Sequence, residues 1–307
     1  MADQQWERQL LEKLAMAAVN EQKWRRRWRM FLTLAFLILV IFIVLRSGAG
    51  PSVPMVSTRH AAVVHLEGVI GMGQVNADDL YEGLKNAFKA GSSPGVILEI
   101  NSPGGSAVES ARMNAAIVDL KKQYRKPIYV VVDEVCASGG YYTAVAADEI
   151  YAHPSSIVGS IGVLFDGFGL VDTLKKLGIE RRLITSGDRK GFMDPFSPVR
   201  PEDQEHIKKM LKEVHEEFIA KVREGRQGKL KETPEMFSGL AWTAKDAQEM
   251  GLIDGFSSAR ALAKEKFHTE EFVDYTKKKS WSERLMGQTA SAMANALLTQ
   301  AMSVQAR

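Results

Sequence analysis

The chain has 307 residues, a formal net charge of +3, 45% hydrophobic residues and 25% charged residues. This length allows one large domain or two small ones, and the apolar content suffices for a sizeable core. So small a net charge gives no ground for a nucleic-acid partner, and the single cysteine, Cys136, excludes an intrachain disulfide.

The basic excess is local. Lys23, Arg25, Arg26, Arg27 and Arg29 gather ahead of MFLTLAFLILVIFIVL (30–45), a run without a charge. At about 1.5 Å per residue this run covers roughly 24 Å, short of a hydrocarbon core of about 30 Å. Trp28 at the interface and a snorkelling Arg46 stem extend it. Because it is apolar all round, the run is read as a transmembrane anchor over 30–46 rather than as a buried core helix. Arg8 and Lys13 add to the basic residues before the span, and only Arg46 and Arg59 follow closely. The positive-inside rule therefore leaves segment 1–29 in the cytosol and the body outside. A cleaved signal peptide is the rival reading, but its charged N-terminal region would be unusually long. Residues 47–59, rich in Gly, Pro and Ser, read as a linker.

In the body, AAVVHLEGVI (61–70) predicts a strand and residues 77–90 a helix with Leu80, Leu84 and Phe88 inward. GVILEI (95–100) predicts a second strand. Residues 106–124 follow as a long helix, with Val108, Ala111, Ala115, Val118 and Leu120 read as its inner face. PIYVVVD (127–133) has the continuous apolar run of a buried parallel strand. A short helix over 138–147 and a strand near DEIYAH come next, and ERRLITS (180–186) reads as a strand. RPEDQEHIKKMLKEVHEEFIAKVREGR (200–226) predicts one long helix with Pro201 in its first turn. A further helix over 243–255 ends near Gly251, and residues 276–307 read as an amphipathic tail. The βαβα alternation implies an α/β fold, with chemistry gathered at the carboxyl ends of the strands.

Two glycine-rich segments follow strands: NSPGG (101–105) and CASGG (136–140). Ser138 at a strand-to-helix turn is either an exposed nucleophile beside helix N–H groups or a plain helix cap. The glycines of NSPGG form either a plain turn or a close backbone approach that supplies an oxyanion donor. A nucleophilic serine needs a base. Of the six histidines, His153 is the best placed, though a structural role fits it better; His206 and His215 sit on a charged helix and read as solvated. SGDRKGFMDPF (186–196) offers Lys190, which must lose its proton to serve; burial against Phe192 and Phe196 would favour that. Arg189 beside it cannot deprotonate. In PSSIVGSIGV (154–163), Ser155, Ser156 and Ser160 offer hydroxyls that could hold a neutral lysine amine. Cys136 precedes the turn and reads as a small buried residue.

GVILEINSPGGSAVES, VCASGGYYTAVAADEIYAHPSSIVGSIGV and SGDRKGFMDPF, in that order, resemble signal peptide peptidase A (SppA) in its short bacterial form, within the ClpP/crotonase superfamily. The resemblance spans roughly residues 60–270. It implies an α/β fold of repeated ββα units, with the protease domain over 60–275 behind one N-terminal transmembrane helix. It places the nucleophile on Ser138, the base on Lys190 and a lysine-orienting hydroxyl on Ser160. Oxyanion donors fall on the backbone of Gly139 and of the NSPGG glycines, Gly105 foremost. It implies peptide substrates, namely signal peptides left in the bilayer after secretion, and no cofactor or metal. It also implies a ring of like subunits with the lysine reaching across a boundary, and a catalytic domain outside a bacterial cell (inner) membrane. Acyl-CoA chemistry on a crotonase-like fold, or a silent scaffold, would need no Ser/Lys pair.

Overall fold

The computed structural model describes residue 16, residues 22–42 and residues 58–278 apart from residue 72. Contacts divide the chain into two units, one of Met1–Ser52 with Lys278–Arg307 and one of Val53–Lys277. In the first, residues 22–42 are helical. Trp28 meets Trp24 edge to face at 5.7 Å and Phe31 at 5.9 Å. Of the expected anchor, only residues 30–42 are described; residues 43–46, most of the linker and the tail beyond residue 278 lie outside the described residues. Among the described residues no helix is long and apolar enough to cross a membrane.

The second unit begins with strictly alternating elements: β1 (Ala61–Glu67), α1 (Ala77–Lys89), β2 (Val96–Ser102), α2 (Ala107–Tyr124), β3 (Ile128–Ala137), α3 (Gly139–Ala144) and β4 (Glu149–Ala152). After α3, strands β4 and β5 (Ile157–Gly159) follow each other without a helix between them. Then come α4 (Val171–Lys176), α5 (Pro201–Gly225), β6 (Ala241–Thr243), α6 (Ala244–Glu249), β7 (Gly255–Phe256), α7 (Ala259–Leu262) and β8 (Phe272–Asp274). A π-helical turn over Ala263–Phe267 joins the last two. The sheet runs β6-β5-β3-β2-β1-β8, with β4 also on β3 and β7 beyond it. All pairings are parallel except β5 with β6.

Strand β3 organises the sheet. Its first half pairs with β4 over Tyr129–Val132 and its second half with β5 over Val135–Ala137. Against β2 its register slips, since Ile100 faces Val132 but Ser102 faces Cys136. This two-residue excess is a bulge that bends the strand. The Asn101 side chain accepts from the Val135 amide at 3.3 Å across it. Ile128, Val130 and Val132 point into the main core, while Val131 joins a smaller cluster with Leu262 and Phe267 on the opposite face. Cover on both faces explains the unbroken apolar run.

The helices start where their caps sit. Asn76 accepts from the Asp79 amide at 2.9 Å, and Ser106 accepts from the Glu109 amide at 3.3 Å. The inner face of α2 differs from the expected one. Ser110, Met113, Asn114, Ile117 and Leu120 are buried, whereas Val108 and Ala115 are exposed. Ser110 can be buried because its hydroxyl donates to the Ser106 carbonyl at 2.8 Å; the Asn114 amide group donates to the Tyr142 carbonyl at 2.8 Å. Residues 180–186 form no strand. Their β-branched and apolar residues pair with no strand among the described residues, and Ile184 is 94% exposed.

The far end of α5 is fixed by a buried charge. Arg226 is 1% exposed and bonds the Gly251 carbonyl at 2.9 Å and Asp254 at 2.5 Å. Lys229 also reaches Asp254, at 2.6 Å. Burial alone would raise the Asp254 pKa, but the hydrogen bonds from Arg226, Lys229 and the Ile150 amide outweigh it and hold the carboxyl below its ordinary value. Asp254→Ala would leave Arg226 buried and unpaired, at a cost of about 3–5 kcal/mol in urea unfolding. A carboxyl with a depressed folded-state pKa stabilises above its unfolded pKa, about 3.9, and that contribution disappears as pH falls through the folded value. The difference between wild type and variant is therefore expected to be full at pH 7 and to narrow below about pH 4. A difference under about 1 kcal/mol at pH 7 would contradict this role.

Candidate functional site

The candidate site forms where β3 hands over to α3. Ser138 has φ 51° and ψ −122°, a left-handed conformation that a side chain rarely adopts. Three contacts hold it there. Its amide donates to the Gly159 carbonyl on β5 at 2.8 Å, its carbonyl accepts from the Tyr142 amide at 2.9 Å, and the loop at Gly104 lies directly against it. Its hydroxyl makes no capping bond to the helix, so the cap reading of Ser138 finds no hydrogen bond to carry it. The first amides of α3, Gly139 foremost, have no intrahelical acceptor.

The second strand end completes the turn. Gly105 forms a parallel bridge with Ile70. The Ile70 amide donates to the Gly104 carbonyl at 2.8 Å, and the Ser106 amide donates to the Ile70 carbonyl at 2.9 Å. In such a bridge the N–H of the central residue points away from its partner. A Cβ placed on Gly139 would lie 3.4 Å from the Gly105 nitrogen. The Gly105 and Gly139 nitrogens thus come close together at the turn that carries Ser138, which is half-buried. Glycine is required at the approach: a Cβ on Gly104, at φ 100°, would sit 2.7 Å from both the Gly139 nitrogen and the Ser138 Cβ.

This turn opens on a cavity of about 1030 Å³, lined among others by Gly105, Ser138, Gly139 and Ser160. Ser160 also has a left-handed backbone, φ 49°, and its hydroxyl donates to the Gly239 carbonyl at 3.2 Å. The oxygen of that hydroxyl keeps its lone pairs for another donor. Val108, Ala111 and Ala115 of α2 line the cavity too, and of these only Ala111 also packs against the core. Tyr142 and Glu217 also line it, and neither was singled out from the sequence. Tyr142 could have been found, since it stands four residues after Ser138 on one helix; Glu217 is one charge among many on α5 and carries no such sign.

Lys190 is not among the residues lining the cavity. It is exposed, in a turn whose Lys190 amide donates to the Gly187 carbonyl at 3.0 Å. Phe192 and Phe196 do not bury it within one chain. Phe192 meets the His206 ring at 5.8 Å, and Arg181 stacks over Phe196 at 5.2 Å. The loop is tied to α5 by Asp203, which pairs with Arg189 at 2.9 Å and with Arg200 at 2.9 Å.

The other candidates have structural partners. Nδ1 of His153 accepts from the Ser155 amide at 3.2 Å, and the Ser156 hydroxyl donates to the Asp133 carbonyl. His215 is not fully solvated, because its Nε2 lies 3.0 Å from the Ile161 carbonyl. Cys136 is fully buried, which pushes its thiol pKa far up and makes it a poor nucleophile. The close approach at Gly104 makes a prediction. Gly104→Ala must push Ser138 and the Gly139 amide apart, so any chemistry at this turn is expected to fall by at least about a hundredfold, the scale of losing one oxyanion donor. A folded Gly104→Ala protein with unchanged kcat/KM would separate this turn from the activity.

The chain matches the model of peptidase family S49 over residues 120–271. It is 31% identical over 236 residues to a Methanocaldococcus jannaschii protein named as a protease, covering 73% of this chain and 75% of that one. It is 32% identical over 204 residues to an Enterococcus faecium protein named as a signal peptide peptidase SppA, covering 65% of this chain and 59% of that one. It is also 46% identical over 184 residues to a Brucella abortus protein named Na(+)/H(+) antiporter NhaA. There the match covers 60% of this chain, which spans only about a quarter (25%) of that relative's length. The archaeal relative, matched over most of both chains and in the same family region, settles the kinship: this chain belongs to peptidase family S49, as a member of the SppA type.

Proposed function

We propose that the chain is a serine endopeptidase working through a Ser138/Lys190 dyad on a ClpP/crotonase-like scaffold. The observation that carries this reading is the left-handed Ser138 with the Gly104, Gly105 and Gly139 backbone packed close at its turn on a cavity. In this reading the Ser138 oxygen attacks a peptide carbonyl and its proton passes to the Lys190 amine. The carbonyl becomes a tetrahedral oxyanion that accepts hydrogen bonds from the Gly139 and Gly105 amides. Lys190 returns the proton to the departing amine, leaving an acyl-Ser138 ester. Water then attacks the ester, losing a proton to Lys190, and Ser138 recovers its hydrogen. The Ser160 oxygen orients the lysine. Every proton in the cycle is carried by these two side chains and water, and no cofactor enters the scheme.

The dyad needs more than one copy of the chain. Lys190 is exposed, and the segment that carries it leaves Leu164 and Phe168 each 80% exposed and Ile184 94% exposed. Apolar surface on this scale is expected to be covered by another protein surface. A ring in which this segment lies on the next subunit would cover it and desolvate the lysine over a neighbour's Ser138. The substrates that fit are hydrophobic peptides, residual signal peptides among them, and the run 30–46 would tether the enzyme to the bacterial cell membrane where they remain.

Ser138→Ala is expected to abolish hydrolysis of a hydrophobic peptide, and Lys190→Arg to be as inactive as Lys190→Ala, since arginine keeps the charge but not a removable proton. Each loss should be several orders of magnitude in kcat. Co-expressed Ser138→Ala and Lys190→Ala subunits should recover a share of activity that follows their ratio. Hydrolysis by folded Ser138→Ala protein would end the dyad reading; absence of rescue in co-purified mixed rings would end the shared site alone.

The basic residues before the apolar run give a further expectation. A reporter joined after residue 60 should be active only where exported proteins are. Protection of the body from protease in spheroplasts would reverse the orientation.

A further inference from the structure

Resting on Ser138 as the nucleophile, we propose that Glu217 makes the cavity select peptides with lysine or arginine immediately before the attacked bond. Tyr142 stands one helical turn after Ser138, its amide bonded to the Ser138 carbonyl at 2.9 Å. Its ring packs on Phe218 at 5.0 Å and its hydroxyl donates to Glu217 Oε1 at 3.2 Å. The side chain of the residue whose carbonyl meets Ser138 would therefore run along Tyr142 toward the Glu217 carboxylate. The facing wall, on α2, is made of Val108, Ala111 and Ala115. Its short side chains leave depth for a side chain of lysine length, and its apolar surface suits a methylene stem.

Among the described residues the Glu217 carboxylate, which is exposed, has no cationic partner. Lys221, one helical turn further along α5, is engaged by Glu224 at 2.7 Å. Arg112, the one cation among the described residues of the cavity wall, is held by Glu109 and Asp78, each at 2.7 Å. The Glu217 charge is felt inside the slot. The Tyr142 phenol pKa is pushed up to about 12, first by burial and then by Glu217. A hydroxyl donor already satisfies Oε1, so the carboxylate has an oxygen left for an ammonium or guanidinium.

The test uses the full chain and three peptides that differ only at the residue before the cleaved bond: lysine, norleucine or glutamate. Norleucine keeps the lysine stem without its charge. Wild type is expected to favour lysine over norleucine by about tenfold in kcat/KM, the scale of one hydrogen bond to a charged group. Glu217→Gln, which keeps an acceptor for Tyr142, should bring that ratio near one, and Glu217→Lys should favour glutamate over lysine. A wild-type preference for norleucine, or ratios that do not move with the Glu217 variants, would overturn the proposal while leaving the nucleophile in place. Fluorescent forms of the same peptides, titrated into Ser138→Ala protein, separate the two readings. If wild type cleaves nothing but lysine peptides still bind in a Glu217-dependent way, the slot stands and the serine reading falls. If binding too ignores Glu217, the slot falls.

Discussion

The Ser138 backbone is held in a conformation of high energy, and the surrounding structure can be understood by what keeps it there. A residue at φ 51° persists only when its neighbours over-determine it. Here the amide is fixed by β5, the carbonyl by the second turn of α3, and the side-chain flank by the Gly104 backbone. Each restraint has a cause further out. β5 reaches Ser138 because β3 changes partner along its length, from β4 to β5. Gly104 reaches it because Ser102 ties the loop: its hydroxyl donates to the Gly68 carbonyl at 2.7 Å and accepts from the Gly104 amide at 3.2 Å. The bulge in β3 supplies the bend that brings these pieces to one point.

On the proposed mechanism, the same turn would be a site formed in its backbone before its base arrives. The N–H groups of Gly139 and Gly105 are oriented by ladders internal to the chain, so they need no partner to be in place. A lysine base has the opposite requirement. It must be withdrawn from water, and an exposed turn on an apolar segment cannot do that alone. The proposed division of labour, a rigid oxyanion turn and a base supplied on assembly, would meet both demands.

Much of this was legible in the sequence, for physical reasons that differ by element. β1, β2 and β3 announce themselves because both faces of the sheet are covered there, and a buried parallel strand must be apolar throughout. The Ser138 turn is legible because two glycine-rich segments follow strands. Periodicity was half right on α2: Leu120 is buried and Ala111 and Val118 pack against the core, but Val108 and Ala115 are exposed on the cavity, and Ser110 and Asn114 are buried because nearby carbonyls satisfy their polar groups. ERRLITS has a strand's composition without a strand to pair with. The pairing of β3 with two strands in turn has no local signature, because it depends on where β5 returns from residues 20 positions downstream.

Helix α5 carries one wall of the cavity, through Val214, Glu217 and Phe218. It spans Pro201–Gly225, a rod of about 37 Å. At its start Asp203 is clasped by Arg189 and Arg200, and just past its end Arg226 is sunk against Asp254. The two clasps differ in what they hold: Arg226 ties the far end of α5 to the body through Asp254 and the Gly251 carbonyl, whereas Asp203 ties its start only to the exposed loop that carries Arg189. The helix is thus a lever anchored at one end, and a displacement of that loop would be carried along it to the cavity wall.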